Sequence, residues 1–273
     1  MIALVTDSAA MLPDDIRRRF DISVVPITIS IDRHEFSEGI DLPTAEFYSR
    51  MAAGAEVSTA APSPGSFVDT YRAAEARGAH AVLSVHTGTA YSATVASATV
   101  AAEMVDLPVS IVDTGVGSFP VALAAWSAAE TLVGGGTIEQ AAAAADRTAS
   151  DTGSLFVVGV PAVARRGGRF VTIGGELTPT TVLELVNGEL HDRGAVPDLD
   201  TAIDAMVEQT VTTAGTGALR IGVGHAVHHD VAEQIRARLA TRLPGSEIVI
   251  YEVGPSVGAH TGPGTVGIVY TPN

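Results

Sequence analysis

Cysteine is absent from the 273-residue chain, which excludes disulfides, thiolate nucleophiles and cysteine-ligated zinc. That absence fits a reducing compartment, and the expected location is the cytoplasm. Positive charge is scarce: 16 Lys and Arg stand against 31 Asp and Glu, a formal net charge of −15. Such a surface repels nucleic-acid backbones and anionic membranes, so neither is expected as a partner. Long apolar runs are missing too. The most apolar helical stretch, 121–133, is short and carries Glu130, so no stable membrane insertion is expected. The amino terminus reads Met1-Ile2-Ala3-Leu4-Val5 and reaches Asp7 without the basic region or apolar core of a secretion signal. What the chain does have is a core: 46% of its residues are hydrophobic and only 17% are charged, which excludes disorder. The use of arginine over lysine, and of alanine and valine, is the habit of a high-GC bacterial genome.

Short β-branched runs alternate with longer alanine-rich ones. Segments 2–6, 22–31, 81–85, 109–112 and 155–160 read as strands, apolar enough to be buried on both faces of a mostly parallel sheet. Between them, Phe67, Tyr71 and Ala74 share one helical face, with Ser63 as cap, Pro64 at the first position and Gly78 beyond the end. Val95, Ala98, Ala102 and Val105 form a second stripe, and Thr137 with Gln140 reads as a capping box. The expected fold class is α/β in two domains: an N-terminal doubly wound, mostly parallel sheet over 1–150 and a smaller C-terminal α+β domain over 151–273. In the second, Arg165-Arg166-Gly167-Gly168-Arg169 reads as a charged turn and Asn187-Gly188 as a turn signal. Asp200 is placed to cap a helix using Ile203, Met206 and Val207, and 218–253 reads as a β-α-β unit.

Three segments carry candidate chemistry. Val57-Ser58-Thr59-Ala60-Ala61-Pro62-Ser63-Pro64 puts hydroxyls before a helix N-terminus, where unpaired N–H groups favour an anion; taken alone, a turn and a simple N-cap are the better account of them. Ser84-Val85-His86-Thr87-Gly88-Thr89-Ala90-Tyr91-Ser92-Ala93-Thr94 follows a buried-type strand and opens a helix. In an open α/β sheet that is where ligands bind, and its hydroxyls exceed what capping needs; an ordinary strand-to-helix loop capped by Ser92 or Thr89 is the alternative. Gly258-Ala259-His260-Thr261-Gly262-Pro263-Gly264 reads as a glycine- and proline-rich loop with His260 and Thr261 at its tip. The G-x-G-x-x-G match at Gly262 precedes a strand instead of opening a helix, so no dinucleotide cofactor is expected. His225, His228 and His229 lie close together without an acidic partner at ligand spacing, and a solvated loop is expected there, not a metal site. Thr6-Asp7-Ser8 and Asp113-Thr114 each end a strand.

Taken in order, these segments resemble the DegV family of bacterial fatty-acid-binding proteins. Val5-Thr6-Asp7-Ser8, Val24-Val25-Pro26-Ile27, Glu38-Gly39-Ile40-Asp41, Phe47-Tyr48, Thr59 with Pro62-Ser63-Pro64, 86–94, Arg166-Gly167-Gly168-Arg169 and 258–264 carry the resemblance nearly end to end. It implies two domains with a fatty acid between them, the acyl chain in a buried apolar tunnel and the carboxylate in a Ser/Thr/His nest. It implies Thr59 and Ser92 as carboxylate contacts, Thr89 in support, and His260 and Thr261 nearby, with Ser58 and His86 as further candidates. It also implies presentation of the ligand to a separate fatty-acid kinase subunit that makes acyl phosphate. The protein is thus expected to carry a lipid without transforming it and to need no cofactor or metal. Two other readings use the same residues: a serine hydrolase or acyl transferase built on Ser92, His260 and Asp7 or Asp113, and a binder of a small phosphorylated metabolite.

Overall fold

The structure, a computed structural model, describes residues 1–166, 177–186 and 189–273. Gly167, Gly168, Arg169, Asn187 and Gly188 lie outside the described residues. Contacts divide the chain into two compact units, one of Met1–Pro43 and Glu56–Ser150, the other of Thr44–Ala55 and Asp151–Asn273. In chain order the elements are β1 (Ile2–Asp7), α1 (Asp14–Arg19), β2 (Ser23–Val25), β3 (Thr28–Ile31), β4 (His34–Ser37), α2 (Thr44–Ala52) and β5 (Val57–Ala60). There follow α3 (Pro64–Ala76), β6 (Ala81–His86), α4 (Thr94–Ala102), β7 (Val109–Asp113), α5 (Phe119–Val133) and α6 (Ile138–Asp151). The remainder comprises β8 (Gly153–Val157), α7 (Pro161–Arg166), β9 (Thr181–Val186), β10 (Glu189–Ala195), α8 (Leu199–Ala214), β11 (Leu219–His225), α9 (His229–Arg242), β12 (Glu247–Glu252), α10 (Pro255–Thr261) and β13 (Val266–Pro272). Among the described residues no helix is long and apolar enough to cross a membrane.

The expected α/β class is what the chain adopts. In the first unit a parallel sheet runs β2-β1-β6-β7. Along β1 the side chains alternate, so Ala3 and Val5 join Phe67, Val68, Tyr71 and Ala98 of α3 and α4 in one core cluster. On the other face α5 packs against β1 and β6. This helix is buried on nearly every side, from Phe119 through Trp126 to Ala129, which is why its sequence shows little amphipathic period. The expected caps form: Ser63 Oγ accepts from Ser66 N at 3.2 Å, and Thr137 and Gln140 make a reciprocal capping box.

Segment 22–31 is two strands, not one. Pro26 has no N–H to give a ladder, so β2 stays in the parallel sheet while β3 joins a separate antiparallel sheet, β4-β3-β5. The strand expected over 155–160 is β8, which begins earlier and stops at Val157. The helix expected to be capped by Asp200 is capped by Asp198, whose carboxylate accepts from Thr201 N at 2.8 Å. Segment 254–264, expected as a loop, contains α10: Pro255 presets its first turn, and Gly262 ends it at φ +84°.

The second unit holds a mixed sheet, β10-β9-β8-β13-β11-β12. Only β11 and β12 pair in parallel among these neighbours, joined by α9 as the β-α-β reading expects. Ile203, Met206 and Val207 of α8 and Ile235 and Leu239 of α9 close over Leu155, Val223 and Ile268. Helix α2 packs into this unit although it comes from the first fifth of the chain. Tyr48 Oη donates to Val253 O at 2.8 Å. At Gly258 of α10 a Cβ would sit 2.3 Å from that same Oη, so the buried phenol occupies the space glycine leaves.

The histidine cluster is not a solvated loop throughout. His225 ends β11 and is 5% exposed, because its strand lies between β13 and β12. Its Nδ1 has no hydrogen-bond partner, and its ring meets that of His229 edge-on at 5.2 Å. Only His228 and His229 are exposed. Among the described residues no group of His, Asp or Glu is arranged to hold a metal ion.

Two measurements follow. Gly258→Ala should cost about 1–3 kcal/mol in denaturant unfolding through overpacking. The cost should shrink in a Tyr48→Phe background, where the nearest atom is gone; equal costs in both backgrounds would refute the packing account. Burial, then the charges of His229 and His228, hold the His225 imidazole below its ordinary value, with Asp230 opposing. The folded state therefore keeps His225 neutral while the unfolded chain takes a proton near pH 6.5. Stability from this group is complete above that pH and declines as pH falls towards the lower folded value. The unfolding midpoint of wild type should drop more between pH 7 and 5 than that of His225→Gln.

Candidate functional site

In the order β2-β1-β6-β7 the chain leaves β1 to one side for β2 and returns to its other side for β6. The direction of winding reverses between β1 and β6, and in such sheets the carboxyl ends at the reversal open a crevice. Here those ends are Asp7 and His86.

The side chains at this point form one buried hydrogen-bonded chain. Asp7 is 1% exposed, and its carboxylate accepts from Ala9 N at 3.1 Å, Thr87 N at 2.9 Å, Thr87 Oγ1 at 3.0 Å and His86 Nδ1 at 3.1 Å. A carboxylate only accepts from these partners, so the ring proton is assigned to Nδ1. The Ser84 hydroxyl then donates to His86 Nε2 at 2.6 Å and accepts from Tyr71 Oη at 2.9 Å. Burial pushes the Tyr71 phenol up to about 12, with the Ser84 bond acting the other way, so it remains a donor at neutral pH. Phe67 covers the imidazole edge-on at 5.0 Å.

Ser84, His86 and Asp7 stand in the order of a hydrolase triad. Each is at most 1% exposed, and the Ser84 oxygen already has Tyr71 and His86 as partners. An acyl carbon has no approach to that oxygen, and the arrangement serves to brace the turn. Sequence reading singled out His86, named Ser84 at the head of the same segment and noted Asp7 as a strand end, but it gave Ser84 and Tyr71 no role in the site. The only signal for Ser84 was a hydroxyl at the spacing that shares a strand face with His86; Tyr71 read as a core aromatic.

Residues 87–94 lie directly above. Gly88 can only be glycine, since a Cβ there would come within 2.6 Å of the Gly115 backbone; Gly88 N donates to Val116 O at 2.8 Å. Gly88 O in turn accepts from Tyr91 N at 2.9 Å and Ser92 N at 3.1 Å. Ser92 is half-buried, with Oγ 2.8 Å from Thr94 Oγ1 and accepting from Thr94 N at 3.3 Å. Thr89 is exposed and turned towards Asp113, to which it donates from Oγ1 at 2.8 Å and from N at 3.1 Å. Asp113 also accepts from Gly115 N. Both acids at these strand ends therefore have several donors of their own.

Thr59 lies on β5, opposite Ile29 of β3. Successive strand side chains face opposite ways, so half-buried Thr59 and exposed Ser58 look out on different faces. Of this pair, one residue can serve a given head group. Within the first unit the structure thus sets out Ser92 and Thr59 with accessible side chains, Thr89 engaged by Asp113 and His86 wholly enclosed.

In the second unit His260 is half-buried in the last turn of α10. Thr261 is 5% exposed and its hydroxyl donates to Val257 O at 3.3 Å, within its own helix. A separate groove of about 290 Å³ in the first unit is lined by Ile2, Leu4, Phe20, Ala129 and Leu132. It lies at the amino-terminal end of β1, away from Asp7, and carries none of these hydroxyls.

A family model described as "Uncharacterised protein, DegV family" matches residues 1–273. A DegV domain-containing protein of Streptomyces coelicolor is 34% identical over 273 residues, covering 98% of this chain and 97% of that protein. A solved DegV family protein from Thermus thermophilus, described for fatty acid binding, superposes with a TM-score of 0.86 at 29% identity, covering 100% of this chain and 99% of that one. Bacillus subtilis DegV, described as a fatty acid binding protein, gives 0.90 at 26% identity, with coverage of 100% and 99%. The chain belongs to the DegV family.

Proposed function

We propose that this protein binds a long-chain fatty acid, holding the carboxylate with neutral hydroxyls and enclosing the acyl chain in apolar surroundings. The full-length similarity to fatty-acid-binding DegV proteins of Thermus and Bacillus supports the ligand class. The observation that carries the head-group assignment is the hydrogen-bond count at Ser92. A serine hydroxyl has two acceptor positions and one proton. Thr94 N donates to Ser92 Oγ, and the proton between the two hydroxyls can sit on either oxygen; with it assigned to Thr94 Oγ1, both acceptor positions of Ser92 are filled and its own proton is left to point outward. A hydroxyl in that state is a donor suited to an anion. Thr59 is the second proposed contact, and His260 is the residue of the second unit proposed to meet a carboxylate. Thr89, His86 and Thr261 are read as supports, because their polar atoms serve Asp113, Asp7 and Val257.

Energetics divide the task. An acyl chain of about 16 carbons, at about 0.8 kcal/mol per buried methylene, contributes on the order of 12 kcal/mol before ordering costs. A hydrogen bond to a charged group contributes only about 1.5–3 kcal/mol. The chain sets affinity and the head group sets orientation. Neutral hydroxyls also leave the carboxylate charge in place, so it stays nucleophilic towards a phosphoryl donor. This fits presentation to a kinase subunit, with the protein itself non-catalytic.

Native mass spectrometry of the purified protein should show co-purified fatty acid; a protein that stays empty after exposure to a range of fatty acids would overturn the proposal. Ser92→Ala and Thr59→Ala should each weaken fatty-acid binding by roughly tenfold, the size of one such hydrogen bond, with little change in thermal stability. Ester hydrolysis abolished by Ser92→Ala would favour the enzyme reading instead.

A further inference from the structure

We infer that Asp7 and Ser8, two consecutive residues, are positioning residues that set the spacing between Thr59 and Ser92. This rests on the head-group role proposed for those two hydroxyls.

Each of the pair holds one arm. Asp7 holds the arm that carries Ser92. Its carboxylate takes both the N–H and the hydroxyl of Thr87, and the next residue, Gly88, accepts from the backbone N–H of Ser92. Ser8 holds the arm that carries Thr59. Its Oγ accepts from Ile27 N at 2.9 Å and donates to Glu38 Oε2, while Glu38 N donates to Ile27 O at 3.0 Å. These three bonds close a ring around the base of the small sheet. From Ile27 the chain enters β3, where Thr28 pairs with Ala60 and Ile29 with Thr59. The proton count agrees: Ser8 uses its hydroxyl hydrogen on Glu38 and an acceptor position on Ile27.

The two arms come from different sheets, and Thr59 and Ser92 are 33 positions apart in sequence. What joins the arms at this point is the planar Asp7–Ser8 peptide, whose Cα atoms are held about 3.8 Å apart. Glu38, at 6% exposure, is nearly as enclosed as Asp7, so neither acid is a casual surface contact. Burying two carboxyl groups is costly unless each is well hydrogen-bonded, and the arms supply those bonds. The same bonds that satisfy the acids therefore fix where the two head-group hydroxyls stand.

The test compares hexadecanoic acid with 1-hexadecanol, which shares the chain and lacks the carboxylate, in displacement of a fluorescent fatty acid. Ser8→Ala should lower affinity for the acid at least fivefold and leave the alcohol within twofold, and Ser8→Thr should restore the acid. In a Thr59→Ala background Ser8→Ala should cost little more, because the hydroxyl it positions is already gone. Thr87→Val, isosteric and on the other arm, should show the same acid-selective loss and should be silent in Ser92→Ala. It decides the matter alone if Ser8→Ala does not fold. Equal losses for acid and alcohol, or effects that simply add to those of Thr59→Ala and Ser92→Ala, would overturn the inference. Failure of the wild type to prefer acid over alcohol would instead sink the head-group assignment on which it rests.

Discussion

The carboxylate of Asp7 is removed from water at the end of a buried strand, and such a group is tolerable only when its lone pairs are met by donors. Two of its four donors are backbone N–H groups and two are side chains. They reach it from the turn after β1, from the last residue of β6 and from the residue that follows it, so satisfying one acid fixes two neighbouring strand ends against each other. The stiffness then passes inward through His86 and Ser84 to Tyr71 on α3. A core helix, two strands and a surface turn are thereby held in one register by directional bonds, where apolar packing alone would leave some play.

Placement follows from topology. The winding reverses between β1 and β6, so no connection crosses directly above their carboxyl ends, and the space is left to the hydroxyl turn. Backbone contact between Gly88 and Gly115 then draws that turn down against the loop after β7. The turn thus combines a rigid base with an exposed rim, which suits a site that must orient one small polar group.

Much of this was legible in the sequence, for reasons that differ by element. Helix α3 was readable because Ser63, Pro64, the Phe67–Tyr71–Ala74 face and Gly78 all agree, and α6 because its capping box is a local pattern. The break at Pro26 was readable in principle, yet the flanking β-branched residues outweighed it, and only the sheet partners show that β3 belongs elsewhere. Helix α10 was hidden by the glycines in and around it: Gly258 weakens a helical signal, and its reason is a tyrosine 210 positions earlier in the chain. His86 was chosen as a ligand contact from its company of hydroxyls. Its partner Asp7 is 79 residues away, and no local pattern distinguishes an imidazole that braces a turn from one that meets a ligand. The same holds for Thr89, whose proton goes to an acid 24 residues on.

On the proposed function the head-group contacts are hydroxyls, and the charge of the chain bears on what that choice does. The chain carries a net charge of −15, and Asp113 stands beside the turn on the Thr89 side. Under that proposal long-range attraction does not draw the carboxylate in, and apolar burial of the tail supplies the driving force. An arginine clamp would add affinity but would also neutralise the carboxylate and tie it in a bidentate pair. Hydroxyls contribute less and leave the oxygens electron-rich. On the proposed function that weakness at the head is what lets one ligand be held firmly by its tail and still react at its other end.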